Sequence, residues 1–108
     1  MGLFDKFLKK NPFPFRDKPN TAVFTCVHVL NRERPILRVT HDEDGDWQFL
    51  CGAPHGVDEA RVIALDEAYD LDPSVGKLAK MDYGYSADRP DEHSDWVVTQ
   101  IRPMEPVL

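Results

Sequence analysis

Long apolar runs are missing from this chain, which argues against a membrane-embedded protein. No stretch comes near the roughly 20 consecutive apolar residues that a membrane span needs. No apolar segment typical of a secretory signal follows Met1 either. We therefore expect a cytoplasmic protein in a reducing compartment.

Cysteine is scarce as well. Two residues, Cys26 and Cys51, are too few for the disulfide framework that holds small secreted domains together. In a reducing compartment both thiols are expected to be free and buried, because cysteine packs like a small apolar side chain. A chain of 108 residues makes one domain that can fold without metal or disulfide staples.

Catalytic signatures are also absent. The chain has no glycine-rich phosphate-binding loop, no nucleophile elbow and no HExxH helix. Cys51 and His55 would form a nucleophile and base, but no third residue is placed to orient them. We expect a protein that is not an enzyme and carries no cofactor.

Acidic residues outnumber basic ones by 19 to 13, so the formal net charge is −6. Residues 1–20 carry five basic and two acidic side chains, whereas the remaining residues carry eight and 17. An acidic body repels phosphate backbones, which argues against a nucleic-acid ligand. A protein partner with a basic surface fits this charge, with residues 42–46 and 66–72 as contact points. The alternative is that these carboxylates only keep the protein soluble.

The chain divides into a basic amphipathic arm with a Pro-rich linker, residues 1–20, and an acidic α+β domain, residues 21–108. Apolar residues at helical spacing predict a short amphipathic helix of about two turns over residues 3–10. Two turns bury little apolar area for membrane attachment. Packing on its own domain, or on a second copy in a homodimer, is therefore favoured. The apolar residues are Leu3, Phe4, Phe7 and Leu8, followed by Pro12, Pro14 and Pro19.

Three strands are predicted between residues 22 and 51. Residues 22–30 are apolar on both faces, as expected for an interior strand, whereas residues 36–41 and 47–51 alternate. A four-residue turn after Leu30 gives a simple meander. A three-residue loop between the second and third strands, ending at Gly45 in the left-handed region, puts the apolar faces of these two strands on the same side of the sheet. That register opposes His41 with Trp47, Val39 with Phe49 and Leu37 with Cys51.

The second half of the chain predicts further helices and strands. A fourth strand over residues 61–65 precedes Asp66, which would cap a short helical turn through residue 70. Asp72 and Pro73 mark the start of a helix that ends near Lys80. Residues 83–87 and 96–101 are two more strands. The prediction is a single α+β domain whose mostly antiparallel sheet carries short helices on one face.

Metal-ligand chemistry is concentrated in residues 26–55. The C-x-H and C-x3-H spacing matches no standard structural zinc pattern. In a meander the first and third strands lie about 10 Å apart, whereas zinc needs its donors within about 2.3 Å of one point. The expectation is no bound metal, and the same separation argues against a disulfide between the cysteines. The alternative, which needs the first and third strands to be neighbours, is structural zinc on Cys26, His28, Cys51 and His55, with His41 nearby in sequence.

Two weaker patterns remain. The carboxylates of residues 42–46 resemble the start of an EF-hand, but Trp47 stands where glycine is required and Ala53 where a bidentate glutamate is required. A solvated hairpin tip is therefore favoured. Aromatic residues could line a ligand patch, although strand alternation makes core positions more frequent. These aromatic residues are Trp47, Phe49, Tyr83, Tyr85 and Trp96.

A family resemblance bears on function. The strings NTAVFTCVHVL, PILRVTHDEDGDWQFLCG and LDPSVGKLAKMDYGYSADR, followed by Trp96, resemble a group of small bacterial proteins of unknown function. The W-x-F-x-x-G part, Trp47, Phe49 and Gly52, is distantly similar to immunity-protein-type domains. The resemblance spans residues 20–97. It implies a stand-alone bacterial domain that neutralises a toxin by binding it, and we expect a non-enzymatic protein-binding module.

Overall fold

A mixed six-stranded sheet organises the described part of the chain, residues 13–54 and 56–101 of a computed structural model. The strand order is β4-β1-β3-β2-β5-β6. No helix within these two ranges is long and apolar enough to cross a membrane. The strands are β1 Ala22–Cys26, β2 Arg38–His41, β3 Trp47–Leu50, β4 Ala60–Ala64, β5 Tyr85–Asp88 and β6 Val97–Gln100. The helices are α1 Val27–Leu30 and α2 Leu65–Leu71, with 3-10 turns at Val57–Glu59 and Pro73–Leu78.

The predicted fold class is confirmed. Four of the strand pairs are antiparallel, and one, between β1 and β3, is parallel. The short helices supply buried residues to the face that also carries Val39 and Phe49. The result is a single α+β domain with a mostly antiparallel sheet.

The predicted meander is wrong. β1 does not form a hairpin with β2; it lies between β4 and β3, with Thr25 opposite Phe49. The Thr25 hydroxyl also donates a hydrogen bond of 2.6 Å to the Phe49 carbonyl oxygen. β1 is thus an interior strand of the sheet, as predicted, but only one of its faces is buried throughout: Val23 and Thr25 are buried, whereas Ala22 and Phe24 are exposed.

β1 also ends earlier than predicted. The expected strand to Leu30 stops at Cys26, and the next four residues form α1, closed by a 2.9 Å hydrogen bond from the Asn31 N–H to the Val27 carbonyl. In the predicted meander, the four-residue turn after Leu30 would set His28 opposite Leu37; this pairing is wrong, because His28 lies in α1 and leaves the sheet. The apolar pattern of residues 27–30 suits a buried helical turn as well as a buried strand, which periodicity alone does not distinguish.

The predicted hairpin register is confirmed within β2 and β3, whereas the predicted pair of Leu37 and Cys51 lies outside both strands. His41 opposes Trp47, and Val39 opposes Phe49. The loop is closed by hydrogen bonds of 3.0 Å from the Asp42 N–H to the Asp46 carbonyl and from the Gly45 N–H to the Asp42 carbonyl. Gly45 has a φ of 91°, the left-handed conformation in which glycine has no Cβ penalty.

Replacing Gly45 by valine is expected to lower the free energy of unfolding by about 1 to 2 kcal/mol, because a β-branched residue is strained at positive φ. A new Cβ would also lie 3.7 Å from the Tyr83 ring. Urea denaturation measures the loss. The control is Gly56→Val, where φ is −83° and the nearest atom belongs to the Asp58 side chain, which can turn away. Equal losses in both variants would contradict the assigned turn.

The helix caps are partly as predicted. Asp72 caps the 3-10 turn, its carboxylate accepting a 3.0 Å hydrogen bond from the Ser74 N–H. The predicted Asp66 cap is wrong, because β4 ends at Ala64 and α2 begins at once. Glu67 instead accepts a 3.1 Å hydrogen bond from the Ala64 N–H. The predicted helix to Lys80 is a 3-10 turn that ends at Leu78.

One core joins these elements. The Pro-rich segment contributes Phe15, whose ring packs edge-on against Trp47 with centroids 5.2 Å apart. The predicted arm helix over residues 3–10 lies outside the described residues. The buried apolar residues are Phe15, Val23, Cys26, Val29, Ile36, Val39, Trp47, Phe49, Cys51, Ile63, Leu65, Ala68, Val75, Leu78 and Ala87.

Candidate functional site

The two cysteines lie together in the core. Cys26 ends β1 and Cys51 follows β3, and these strands are parallel neighbours. Both thiols are buried and free. Burial raises the pKa of the Cys51 thiol, and its hydrogen bond with Cys26 raises this pKa further. The separation invoked against convergence of the cysteines is therefore wrong, although the expectation of buried, free thiols is confirmed.

His28 is not placed beside them as a free ligand. Its Nδ1 lies 3.0 Å from Glu33 Oε1, and its Nε2 lies 2.8 Å from Glu59 Oε2. To bind zinc it would have to leave at least one of these carboxylates. His55 lies outside the described residues. Among the residues that the structure describes, no group of three or more Cys, His, Asp and Glu side chains could hold a metal ion.

The two carboxylates make the stability of the fold depend on the charge of His28. The hydrogen bond with Glu33 is the largest cause that raises the pKa of His28 above 6.5, and Glu59 raises it further. A raised folded-state pKa stabilises the protein fully below the unfolded-state pKa, and the contribution disappears as pH rises through the folded-state value.

We expect the free energy of unfolding to fall as the pH is raised from about 6 to about 8, and His28→Gln to remove this part of the pH dependence. Urea denaturation at a series of pH values measures it. Glu33→Gln serves as a second variant, in which the dependence is reduced because the Glu59 partner remains. A wild-type profile that matches the His28→Gln profile would contradict the assignment.

The acidic loop is a hairpin tip rather than half of an EF-hand. The Asp42 carboxylate accepts hydrogen bonds from the N–H groups of Asp44 and Asp46, at 2.9 and 3.1 Å. Its oxygen is thus used to shape the turn. Glu43 and Asp44 project from the tip and are exposed.

The predicted aromatic residues separate into different environments. Trp47 and Phe49 are buried, with ring centroids 5.9 Å apart, whereas Trp96 is covered by the Arg89 guanidinium at 4.1 Å. Tyr83 is 63% exposed. The five side chains therefore do not form one patch; Trp47 packs on Phe49, and both Trp47 and Tyr83 contact His41.

His41 is the residue that sequence reasoning passed over. It stacks on Trp47 with ring centroids 3.8 Å apart, and Tyr83 packs edge-on at 4.7 Å. Its Nδ1 donates a 2.7 Å hydrogen bond to the Met81 carbonyl, so in the neutral ring Nε2 is an acceptor. Within the described ranges, neither His41 Nε2 nor Trp47 Nε1 has a hydrogen-bond partner. The predicted pairing of His41 with Trp47 was the sequence feature that could have identified His41 as part of an aromatic cluster.

A small cavity of about 100 Å³ lies beside these rings. His41, Trp47 and Tyr83 form its aromatic wall, and Arg16, Asp17, Lys80 and Asp82 also line it. Pockets that hold a whole small-molecule ligand usually measure about 300 to 1,000 Å³. This cavity is therefore of a size for one side chain or a few atoms.

Carboxylates collect around the same end of the sheet. The Gly84 N–H bonds to the His41 carbonyl at 2.7 Å, and a Cβ at Gly84 would lie 3.5 Å from Glu43 Cγ. These contacts bring segment 82–84 against the hairpin tip. We call this surface the acidic end; it comprises Asp42, Glu43, Asp44, Asp46, Asp82 and the exposed Tyr83.

Comparison of the chain with protein-family models, with characterised proteins and with solved structures gives no match.

Proposed function

We propose that this protein is a non-enzymatic binding domain that uses its acidic end to capture a protein partner with a basic surface. The observation that carries the proposal is the exposed Tyr83 beside five carboxylates. In the part of the chain that the structure describes, none of the five forms an ion pair with a lysine or arginine. Their charge is available to a partner.

The chemistry of this end favours a protein partner over a small molecule. Tyrosine is enriched among the residues that dominate binding energy, because a rigid ring buries much area and keeps a polar group at its edge. Complementary charge around it accelerates association. A lysine or arginine side chain of the partner could lie over the Tyr83 ring, among the carboxylates, and gain a cation–π contact.

The non-enzymatic part of the proposal is supported by the state of the thiol nucleophile. Cys51 is buried and has a raised pKa, so its reactive thiolate form is disfavoured. Ser74 accepts a hydrogen bond from Arg89 rather than facing a histidine base. Both groups are used in packing the domain.

The resemblance to immunity-protein-type domains suggests what the partner does. Of the shared residues, Trp47 and Phe49 are core residues, and Gly52 has a φ of 80°. They shape the hairpin whose tip carries the acidic end. A basic toxin neutralised by this surface is the partner class that we propose.

Removing charge from the acidic end is expected to slow association with such a partner. Immobilised protein would be used to capture partners from the source cell at low and high salt, and association rates of a captured protein would then be measured. The double variant Glu43→Gln/Asp44→Asn should lower the association rate about tenfold at low salt, and less at high salt, because salt screens the field. Tyr83→Ala should increase the dissociation rate about tenfold or more.

The matched control is Asp58→Asn/Asp95→Asn, which removes the same charge; Asp95 is exposed and precedes β6, whose start lies at the end of the sheet away from the hairpin tip. Asp58 is exposed and precedes β4, at the opposite end of the sheet from the hairpin tip. Association that slows equally in both double variants would show that net charge alone matters. A captured partner with an acidic surface, or one whose association is insensitive to salt, would contradict the proposal.

A further inference from the structure

A second charged surface lies at the other end of the sheet. α1 follows the end of β1, whereas the acidic end precedes the parallel strand β3. Here a cleft of about 420 Å³ opens between the turn after α1 and the junction of α2 with the second 3-10 turn. We call it the arginine cleft; its lining combines Arg32 and Arg34 with the apolar residues Val29, Ile36 and Leu71.

Two of the three acidic residues that line the cleft are bonded to other groups. Asp72 accepts hydrogen bonds from Arg89 at 2.5 Å and from the Ser74 N–H at 3.0 Å. Glu33 lies 3.0 Å from His28 Nδ1. Glu92 faces His93 at 3.9 Å and is the remaining carboxylate in the lining.

The two arginines have no such partners. Arg32 and Arg34 are exposed, and across residues 13–54 and 56–101 neither guanidinium makes a hydrogen bond or an ion pair. Arg38, by contrast, bonds to Asp88, and Arg61 bonds to backbone carbonyls. With Asp72 and Glu33 bonded to other groups, these two guanidinium groups are opposed in the lining by one exposed carboxylate, that of Glu92.

The backbone holds these arginines in place. The Arg32 N–H donates a hydrogen bond of 3.0 Å to the Val29 carbonyl. The N–H groups of Glu33 and Arg34 both donate to the His28 carbonyl, at 2.9 and 3.2 Å. Arg32 has a φ of 60°, and it is the one non-glycine residue of the described chain in the left-handed region. Such a conformation is strained for arginine, and strained residues are concentrated at binding sites.

We propose that the arginine cleft binds a small organic dianion with two oxyanion groups, carboxylate or phosphate, on a short carbon frame. Each guanidinium matches one oxyanion group through paired N–H donors. The apolar floor accommodates the carbon frame, and the volume lies in the range of small-molecule sites. This proposal does not depend on the acidic end, because it uses different residues at the opposite end of the sheet.

Amide chemical shifts of residues 32–34 in the intact protein, followed by NMR, would test the site. The probes are glutarate, which has two carboxylates, and 3-phosphoglycerate, which has one carboxylate and one phosphate. Saturable shifts are expected, and the tighter probe identifies the preferred oxyanion. Butyrate, with a single carboxylate, should bind about tenfold more weakly at matched ionic strength, because it reaches only one guanidinium.

Arg32→Gln and Arg34→Gln should each weaken binding about tenfold. The matched control is Arg61→Gln, which removes the same charge from an exposed residue on β4 and should change affinity less than about twofold. Arg32→Gly keeps the left-handed backbone and should retain the thermal stability of the protein while weakening binding as Arg32→Gln does. This variant separates loss of the guanidinium from loss of the fold.

Three results would overturn the proposal. One is the absence of saturable shifts for both dianions up to about 20 mM, a concentration that would reveal even weak binding. Another is an equal loss of affinity in Arg61→Gln, which would mean a response to net charge alone. The third is butyrate binding as tightly as the two dianions.

Discussion

Replacing Arg89 by methionine is expected to lower the free energy of unfolding by about 3 to 5 kcal/mol, the typical loss when one partner of a buried ion pair is removed. The Arg89 side chain is only 2% exposed. Methionine retains much of the packing volume, so the loss would come from the polar groups that are left behind. Urea denaturation followed by circular dichroism measures it.

The groups left behind explain the size of this effect. Arg89 donates two hydrogen bonds to the Ile36 carbonyl, at 2.8 and 3.0 Å, and others to Asp72, to the Ser74 hydroxyl and to the Glu92 carbonyl. One guanidinium therefore joins the approach to β2 with the second 3-10 turn and the loop after β5. Without it, a buried carbonyl and a partly buried carboxylate lose their donors.

Two further variants make the Arg89 prediction specific. Arg38→Met removes an exposed ion pair with Asp88 and should cost less than about 1 kcal/mol. Asp72→Asn in the Arg89→Met background should recover part of the loss, because it removes the unpaired charge and keeps an acceptor for the Ser74 N–H. Similar losses for the Arg89 and Arg38 variants would contradict the structural role of Arg89.

Replacing Trp47 by alanine is expected to lower the free energy of unfolding by about 3 to 5 kcal/mol, the range for deletion of a large buried aromatic side chain. Trp47 is 2% exposed and stacks between His41 and Phe49. Its removal opens a cavity and exposes the part of the Phe15 ring that packs against Trp47. Chemical denaturation measures the loss.

Two further variants test whether the loss of stability comes from removing a buried aromatic side chain. Val62→Ala, at a position 63% exposed on β4, should change stability by less than about 0.5 kcal/mol. Trp47→Phe retains an aromatic ring against His41 and should cost less than Trp47→Ala. A Trp47→Ala protein as stable as the wild type would mean that this hairpin face is not part of the core.

The correct sequence predictions concern neighbours along the chain. The three-residue loop and the pairing of His41 with Trp47 followed from alternation on two adjacent strands, where a slip of one residue would turn the apolar side chains to solvent. The Asp72 cap followed from a local preference of side-chain oxygens for unpaired N–H groups. Both depend on interactions within a few residues, and the fold class followed from the same patterns.

The cysteine pair, the arginine cleft and the role of Arg89 could not be predicted from such local patterns. The sequence marked Cys26 and Cys51 as a pair of interest, but their contact depends on β1 lying beside β3. The arginine cleft carries no motif, because Arg32 and Arg34 belong to a polar turn whose other wall comes from residues about 40 positions later along the chain. Arg89 likewise follows an ordinary strand, and only its partners distinguish it from an exposed arginine.

The sequence by itself determined the α+β class, the β2–β3 hairpin with its glycine turn, the start of the second 3-10 turn and the acidic charge. Only the tertiary structure decided the strand order, the end of β1 at Cys26, the engagement of His28 by two carboxylates and the burial of Arg89. The physical reason is the range of the interactions. Alternation and capping act over a few residues, whereas the insertion of β1 between β3 and β4 depends on backbone pairing with both strands and on burial of Val23 and Thr25, which involve residues far away in the chain.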